Sequence, residues 1–162
     1  MGIVSRYVFE DDLAKGQKAE QTFASWLTSK NVKPVVISTG LEKRWDITTP
    51  EDSYEVKRDY IFERTGNICV ETYSCVKRLG DRIVSASKGW FYHTQADWLV
   101  VFYTDTDFYC MPMGDVWVAY FSNPKDWVKK EITQDAGYTT INWVTRLSKD
   151  MFPRVRFGSV NK

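Results

Sequence analysis

The sequence predicts a mixed domain of the α/β or α+β class, in which one long helix is followed by several strands and then by a second helix. Two observations support this prediction. Apolar residues recur at helical spacing in the first 30 residues, and short apolar or alternating segments bounded by turn residues follow. The length of 162 residues corresponds to about one domain, and no linker rich in Gly, Pro or Ser divides the chain. We therefore expect a single domain over residues 1–162.

The first predicted element is a helix capped at Asp11 or Asp12 that runs to about Lys30. One acidic residue, Glu20, falls in its apolar stripe, where burial is costly unless a cation pairs with the carboxylate. Two interpretations remain open: Glu20 lies at the edge of the stripe and reaches water or an arginine, or it belongs to a functional site. The predicted buried face consists of Leu13, Gly16, Glu20, Phe23, Ala24 and Leu27.

Several strands are predicted after this helix. A short strand at 35–38 precedes two strands, 44–49 and 54–59, which the turn residues 50–53 join into a hairpin. A further strand is expected at 67–74, and residues 75–95 are polar and mixed. The strongest strand signal is Ala96 to Thr104, whose six consecutive apolar residues predict burial on both faces. A helix is predicted from Asp115 to Phe121, and the last forty residues are ambiguous.

Composition narrows the classes of function. Hydrophobic residues make up 43% of the chain and charged residues 27%, which is typical of a globular protein. The net charge of +1 argues against a polycation that coats nucleic acid indiscriminately. Three cysteines and one histidine are too few for a zinc site, and we expect reduced thiols and a structural role for His93. Neither a signal peptide nor a membrane-spanning run is present, so we expect a cytoplasmic protein without membrane contact.

The predicted hairpin brings three charged residues together. If the turn is centred on Pro50 and Glu51, paired residues sum to 101, and Asp46 lies directly opposite Glu55. Lys57 follows Glu55 by two positions and therefore projects from the same face. Like charges opposite each other destabilise a sheet, so a physical reason for the Asp46–Glu55 pair is needed. The residues expected on the other, core-facing side are Trp45, Ile47, Tyr54 and Val56.

A divalent cation would relieve the repulsion between the two carboxylates. Mg²⁺ prefers hard oxygen ligands and typically takes one or two carboxylates together with phosphate and water. A lysine beside such a site can position or deprotonate a water molecule, or stabilise charge that develops on phosphorus. The alternative is an ordinary solvated hairpin in which Lys57 neutralises either acid.

The pattern resembles the PD-(D/E)XK nuclease superfamily, whose core is a helix packed on a mixed sheet. The matching residues are Glu20 on the leading helix, Asp46 within Arg-Trp-Asp-Ile, and the segment Glu55-Val56-Lys57. Trp45 stands where the motif that gives the family its name has proline. The segments Thr65 to Glu71 and Gly89 to Phe102 also resemble those that follow the active-site hairpin in compact nucleases of this group, so the resemblance covers roughly residues 10–115.

The resemblance implies a restriction-endonuclease-like core, a mixed central sheet flanked by helices, with Mg²⁺-dependent phosphodiester hydrolysis that leaves a 5′-phosphate. Asp46 and Glu55 would hold the metal, aided by the backbone carbonyl of Val56, and Mn²⁺ would be able to replace Mg²⁺. Lys57 would orient the nucleophilic water. Glu20 would complete the outer shell of the metal or hold a second ion. Glu71 would reach the same patch, or else be a surface carboxylate near the basic residues that follow it.

Three functions fit the sequence: site-specific, homing-type cleavage of double-stranded DNA, resolution of Holliday junctions, and non-catalytic DNA binding on the same fold. An RNA-directed nuclease is not separated from these. Cutting both strands of a duplex calls for two active sites, so a homo-oligomer, a dimer or tetramer, is expected, with no organic cofactor. Basic residues beside aromatic ones are candidates for contacts with DNA phosphates: Lys77, Arg78, Arg82 and Lys88, or alternatively Arg146, Lys149, Arg154 and Arg156.

Overall fold

A computed structural model describes residues 2–40, 43–133 and 137–162, with side chains from residue 13 onwards. These residues form a mixed α+β structure with two sheets and four helices, which confirms the predicted class. The helices are α1 (Gly2–Ser29), α2 (Phe62–Thr65), α3 (Trp90–His93) and α4 (Met113–Ser122), and a 3₁₀ turn, η1, covers Pro124–Asp126. The strands are β1 (Val36–Ile37), β2 (Ile47–Thr48), β3 (Ser53–Arg58), β4 (Asn67–Leu79), β5 (Arg82–Lys88), β6 (Trp98–Phe102), β7 (Asp107–Pro112), β8 (Val128–Thr133), β9 (Thr139–Arg146) and β10 (Arg156–Ser159).

The central sheet has six strands in the order β1-β2-β3-β6-β7-β10. Adjacent strands in this sheet pair antiparallel, except for β3 and β6, which run parallel. A parallel pair needs a long crossover, and here the chain between β3 and β6 supplies α2, β4, β5 and α3. The predicted hairpin supplies two of the six strands of this mixed sheet.

The helix α1 packs on one face of the central sheet with its C-terminal half. Phe23 and Leu27 are buried there against Ile47 and Val56. Leu13, which the heptad spacing places on the same stripe, is 52% exposed. Two physical reasons account for this error: a helix of 28 residues is about 42 Å long, more than the sheet can cover, and heptad positions drift around a straight helix. The helix also begins well before Asp11 and Asp12, whose side chains lie outside the described residues.

The strand β6 is buried on both faces, as its apolar run predicts. Val100 and Phe102 pack against α1, whereas Leu99 and Val101 pack against the opposite cluster with α3 and α4. All four side chains are nearly inaccessible to solvent. This strand lies beside β3, so it fixes the position of the candidate site within the sheet.

The predicted strand at 67–74 is the first part of β4, but the second sheet to which it belongs, in the order β5-β4-β9-β8, was not predicted. Its long strand β4 alternates: Ile68 and Val70 are buried in the core, whereas Asn67, Cys69 and Glu71 lie on the other face. The residues after 75, whose sequence is polar and mixed, continue β4 and form β5, and every residue of β5 is exposed. Pairing with β9 joins segments some seventy residues apart, and no local sequence signal reports such a contact.

The cysteines Cys69, Cys75 and Cys110 are all free, as expected from the sequence. Within the described ranges, no helix combines the length and the apolar character needed to cross a membrane.

Candidate active site

The hairpin of β2 and β3 has the predicted register, with Ile47 opposite Tyr54 and Thr48 opposite Ser53. Asp46 lies just before β2, and its backbone amide donates to the carbonyl of Tyr54. The amide of Val56 donates to Asp46 Oδ2 at 2.7 Å, so the aspartate side chain takes the place of a backbone acceptor. This bond orients the Asp46 carboxylate toward β3.

Asp46, Glu55 and Lys57 meet at this point. Lys57 Nζ lies 2.5 Å from Glu55 Oε1 and 3.7 Å from Asp46 Oδ2. The side chains of Asp46 and Glu55 are 2% and 8% exposed, and that of Lys57 is 30% exposed. Two buried carboxylates thus share one partly accessible ammonium group.

A second ammonium, which the sequence analysis missed, completes the cluster. Lys43 Nζ lies 2.8 Å from Asp46 Oδ1 and 3.1 Å from Glu20 Oε1, and so joins α1 to the hairpin. The sequence offered a weak signal for this contact, because Lys43 precedes Asp46 by three residues. Glu20 is largely buried beside this lysine, which combines the two interpretations left open for it: it is ion-paired, and it adjoins the candidate site.

The charged groups of this cluster shift one another's pKa values. Burial alone would lower the pKa of Lys57, but the carboxylates of Glu55 and Asp46 outweigh it and raise that pKa well above its usual value. Burial raises the pKa of Glu20, repulsion from Asp46 adds to the rise, and Lys43 opposes it. Lys57 is therefore an ammonium ion at neutral pH.

Trp45 departs from the predicted alternation. Ile47, Tyr54 and Val56 pack on the α1 side as expected, but Trp45 packs against the core cluster on the opposite face of the central sheet. The strand β2 has only two residues, and the chain bends at Asp46. Alternation requires an extended strand, so it does not continue through this bend.

The start of β3 is anchored by Asp97. Its Oδ2 accepts hydrogen bonds from both the amide and the hydroxyl of Ser53, each at 2.9 Å. This contact ties the beginning of β3 to the beginning of β6 and holds the strand that carries Glu55 and Lys57 in place.

A cavity of about 350 Å³ opens beside Lys57, between the end of β3 and the second sheet. Glu71 lies in its wall, so the structure brings this predicted residue to the vicinity of Lys57. Trp90, a residue that the sequence analysis did not assign to the site, also lines it, and Lys57 Nζ is 5.4 Å from the centre of a Trp90 ring. The rest of the lining includes Asp59, Ile61, Asn67, Cys69, Lys130, Ile132, Asn142 and Val144.

Gly89 lets the chain before α3 pack closely against β4 at the wall of this cavity. Its backbone is so close to β4 that an added β-carbon would collide with the backbone carbonyl of Glu71. We expect Gly89→Ala to lower the free energy of unfolding by about 1–3 kcal/mol, as overpacking does. Gly114→Ala, where a β-carbon meets nothing within 4 Å in α4, is the matched control and should be neutral or slightly stabilising in urea unfolding. Equal stability of the two variants would contradict the close contact.

Glu71 makes a testable contribution to stability. Burial raises its pKa, although Lys57 and the amide of Trp90 oppose the rise. The folded chain therefore holds this proton more tightly than the unfolded chain, and stability falls as pH rises above the usual glutamate range. We expect Glu71→Gln to gain stability over the wild type between about pH 4 and pH 7 in EDTA. A gain that shrinks over this range would contradict the assignment.

The basic residues predicted to contact DNA lie on the β4–β5 hairpin and are exposed. Arg78 is paired with Glu131 through two hydrogen bonds, at 2.6 and 2.8 Å. In the alternative cluster, Arg154 is paired with Asp115. Lys88 instead lines a surface pocket of about 410 Å³ together with Arg44 and His93. Arg44 precedes Asp46 by two residues and His93 follows Trp90 by three, so this pocket lies on the chain segments that also carry the candidate site.

The residues around Asp46 offer oxygen donors for the magnesium ion that the resemblance implies. Asp46 and Glu55 offer two carboxylates in contact with one lysine. A strand residue directs its N–H and C=O to the same neighbour, so the Val56 carbonyl points to the edge where Asp46 lies. Among the described side chains, no group of three His, Cys, Asp or Glu residues is placed to hold a metal. Mg²⁺ commonly uses one or two carboxylates, and the residues fit it in number and type.

Comparisons with protein-family models, curated proteins and solved structures give no match to this chain.

Proposed function

We propose that this protein is a Mg²⁺-dependent DNA endonuclease of the PD-(D/E)XK type. The single observation that carries the proposal is the meeting of Asp46, Glu55 and Lys57, with both carboxylates buried and Lys57 at the edge of an open cavity. Burying two acids next to each other costs stability unless cations compensate them. Here two lysines face three carboxylates, so the cluster keeps a net negative charge that a metal ion can balance.

The restriction-endonuclease-like core is part of the same proposal. In its support, α1 packs on a mixed sheet, and the hairpin that carries the three residues lies in the interior of that sheet. The parallel pairing of β3 with β6 places Glu55 and Lys57 next to the most deeply buried strand. Such surroundings keep catalytic side chains in fixed positions.

Each residue of the cluster has a role in this proposal. Asp46, Glu55 and the Val56 carbonyl hold the metal ion, which supplies charge stabilisation at phosphorus and a water molecule of lowered pKa. Lys57 stays protonated because of its two carboxylate neighbours, so it stabilises charge on the phosphate rather than acting as a base. Trp90 limits the positions open to the Lys57 ammonium. Glu20 acts indirectly, because it pairs with Lys43, which contacts Asp46.

DNA is the proposed partner, and its phosphates would be met by the exposed basic residues of the β4–β5 hairpin. Lys77, Arg82 and Lys88 remain candidates, whereas Arg78 would first have to leave Glu131. The pocket of Arg44, Lys88 and His93 adds a place for a phosphate. Because the described part of the chain holds one such cluster, cleavage of both strands calls for a homo-oligomer, which sedimentation or size-exclusion measurements on DNA would detect.

The decisive experiment is cleavage of supercoiled plasmid, four-way junctions and linear fragments with Mg²⁺, Mn²⁺ or EDTA. We expect Mg²⁺-dependent products that carry 5′-phosphates and no products in EDTA. One defined linear product would indicate site-specific cleavage, and cutting confined to junctions would indicate a resolvase. Absence of cleavage in all three substrates, or cleavage that EDTA does not stop, would overturn the proposal.

A further inference from the structure

Lys43 occupies a position that a divalent cation needs. Its ammonium lies between Asp46 Oδ1 and Glu20 Oε1, at 2.8 and 3.1 Å. The other oxygen of Asp46 already accepts the amide of Val56. Both oxygens of the central aspartate are therefore in use, one by the backbone and one by a lysine.

The charge count explains why a lysine is found there. The cluster holds three carboxylates, those of Glu20, Asp46 and Glu55, and two ammonium groups. Without Lys43, Glu20 and Asp46 would repel each other across the contact between α1 and the hairpin. A cation bound at Asp46 would remove the same repulsion, and it would in turn repel the ammonium of Lys43.

The two lysines differ in the contacts that each would lose on moving away from Asp46. Lys57 contacts both carboxylates of the hairpin and a Trp90 ring. Lys43 is 32% exposed, lies in the connection before β2 and has a second acceptor in Glu20 to retain it. Displacement of Lys43 from Asp46 toward Glu20 and solvent therefore disturbs fewer contacts than displacement of Lys57.

We propose that Lys43 is an internal counter-ion that a divalent cation displaces from Asp46, so that this lysine sets the metal concentration at which the site loads. The inference rests on the proposed function, because it requires a metal at Asp46 and Glu55. Before metal binds, Lys43 holds the two carboxylates of Glu20 and Asp46 together. Its charge opposes binding, and its removal strengthens the affinity for metal.

The test measures Mn²⁺ binding by electron paramagnetic resonance of the free ion, with the full chain and no DNA. We expect Lys43→Met and Lys43→Gln to bind Mn²⁺ about tenfold more tightly than the wild type, because a positive charge is lost next to the ligands. Lys125→Met removes the same charge from the exposed η1 turn and should leave binding unchanged. In EDTA, Lys43→Met should unfold at a lower temperature than the wild type. Replacing the EDTA with Mn²⁺ should restore its thermal stability.

The outcomes separate this inference from the proposed function. Unchanged or weaker binding in both Lys43 variants overturns the role of Lys43, while loss of binding in Asp46→Asn still supports the metal site. If the wild type binds no Mn²⁺, or if Asp46→Asn binds it as the wild type does, the metal site itself is wrong and the inference fails with it. Equal tightening by Lys125→Met would reduce the effect to net charge and overturn the inference as well.

Discussion

Replacing Asp46 or Glu55 with alanine is expected to abolish Mg²⁺-dependent cleavage, with a loss of at least about 10³-fold in single-turnover rate, because the metal site then has one carboxylate left. DNA binding should be unchanged or stronger, since removal of a carboxylate reduces the repulsion of phosphate. Cleavage and gel-shift assays on the same preparations measure both quantities.

The structure shows which variant of Asp46 is the cleaner test. Asp46→Ala would leave the buried amide of Val56 without its acceptor, at a cost of about 1–3 kcal/mol in stability. Asp46→Asn keeps an oxygen for that amide and removes only the charge, and Glu55→Gln is its counterpart. If either of these two variants turns over at the wild-type rate, the metal ligands are assigned wrongly.

Lys57→Ala is expected to lower the single-turnover rate by about 10²–10³-fold, which is the usual cost of losing one preorganised group that stabilises charge. The loss should fall on kcat, because the developing charge on phosphorus is greatest in the transition state. Lys57→Arg should not restore the rate. The planar guanidinium cannot take the place of a compact ammonium held 2.5 Å from Glu55 and close to Trp90.

A purely structural Lys57 predicts a different pattern. An ion-pairing role in the hairpin would let arginine substitute well, and stability and cleavage would then change together. Urea unfolding of both variants in EDTA separates the two effects, since Lys57→Ala also leaves Glu55 without its lysine and next to Asp46, which keeps only Lys43. Cleavage by Lys57→Arg at more than about half the wild-type rate would rule out the catalytic role.

The hairpin was predictable because its information is local. A turn centred on Pro50 and Glu51 separates two segments of matching length, and turn geometry fixes the register of a two-stranded pair. The opposition of Asp46 and Glu55 and the shared face of Lys57 follow from that register alone. The predicted alternation fails outside the strand. The chain bends at Asp46, so Trp45 packs on the other face of the sheet, and residue spacing alone does not predict a bend.

The second sheet was not predictable in the same way. Its edge strands β5 and β8 are exposed throughout, so they lack the apolar run that identified β6. The strand β4 pairs with β9 across some seventy residues, and the edge strands β5 and β8 gain their conformation from these partners. Strand propensity depends on such neighbours, and a sequence window does not contain them.

By itself, the sequence determined the class of the fold, the burial of β6, the register of the hairpin and the three charged residues that this register gathers. These depend on periodicity and turns, which act between residues close in the chain. Only the tertiary structure decided that Lys43 joins Glu20 to Asp46, that Trp90 lies against Lys57, and that Glu71 shares their cavity. Each of these contacts joins separate elements, and the packing of α1 and the second sheet around the hairpin sets their distances.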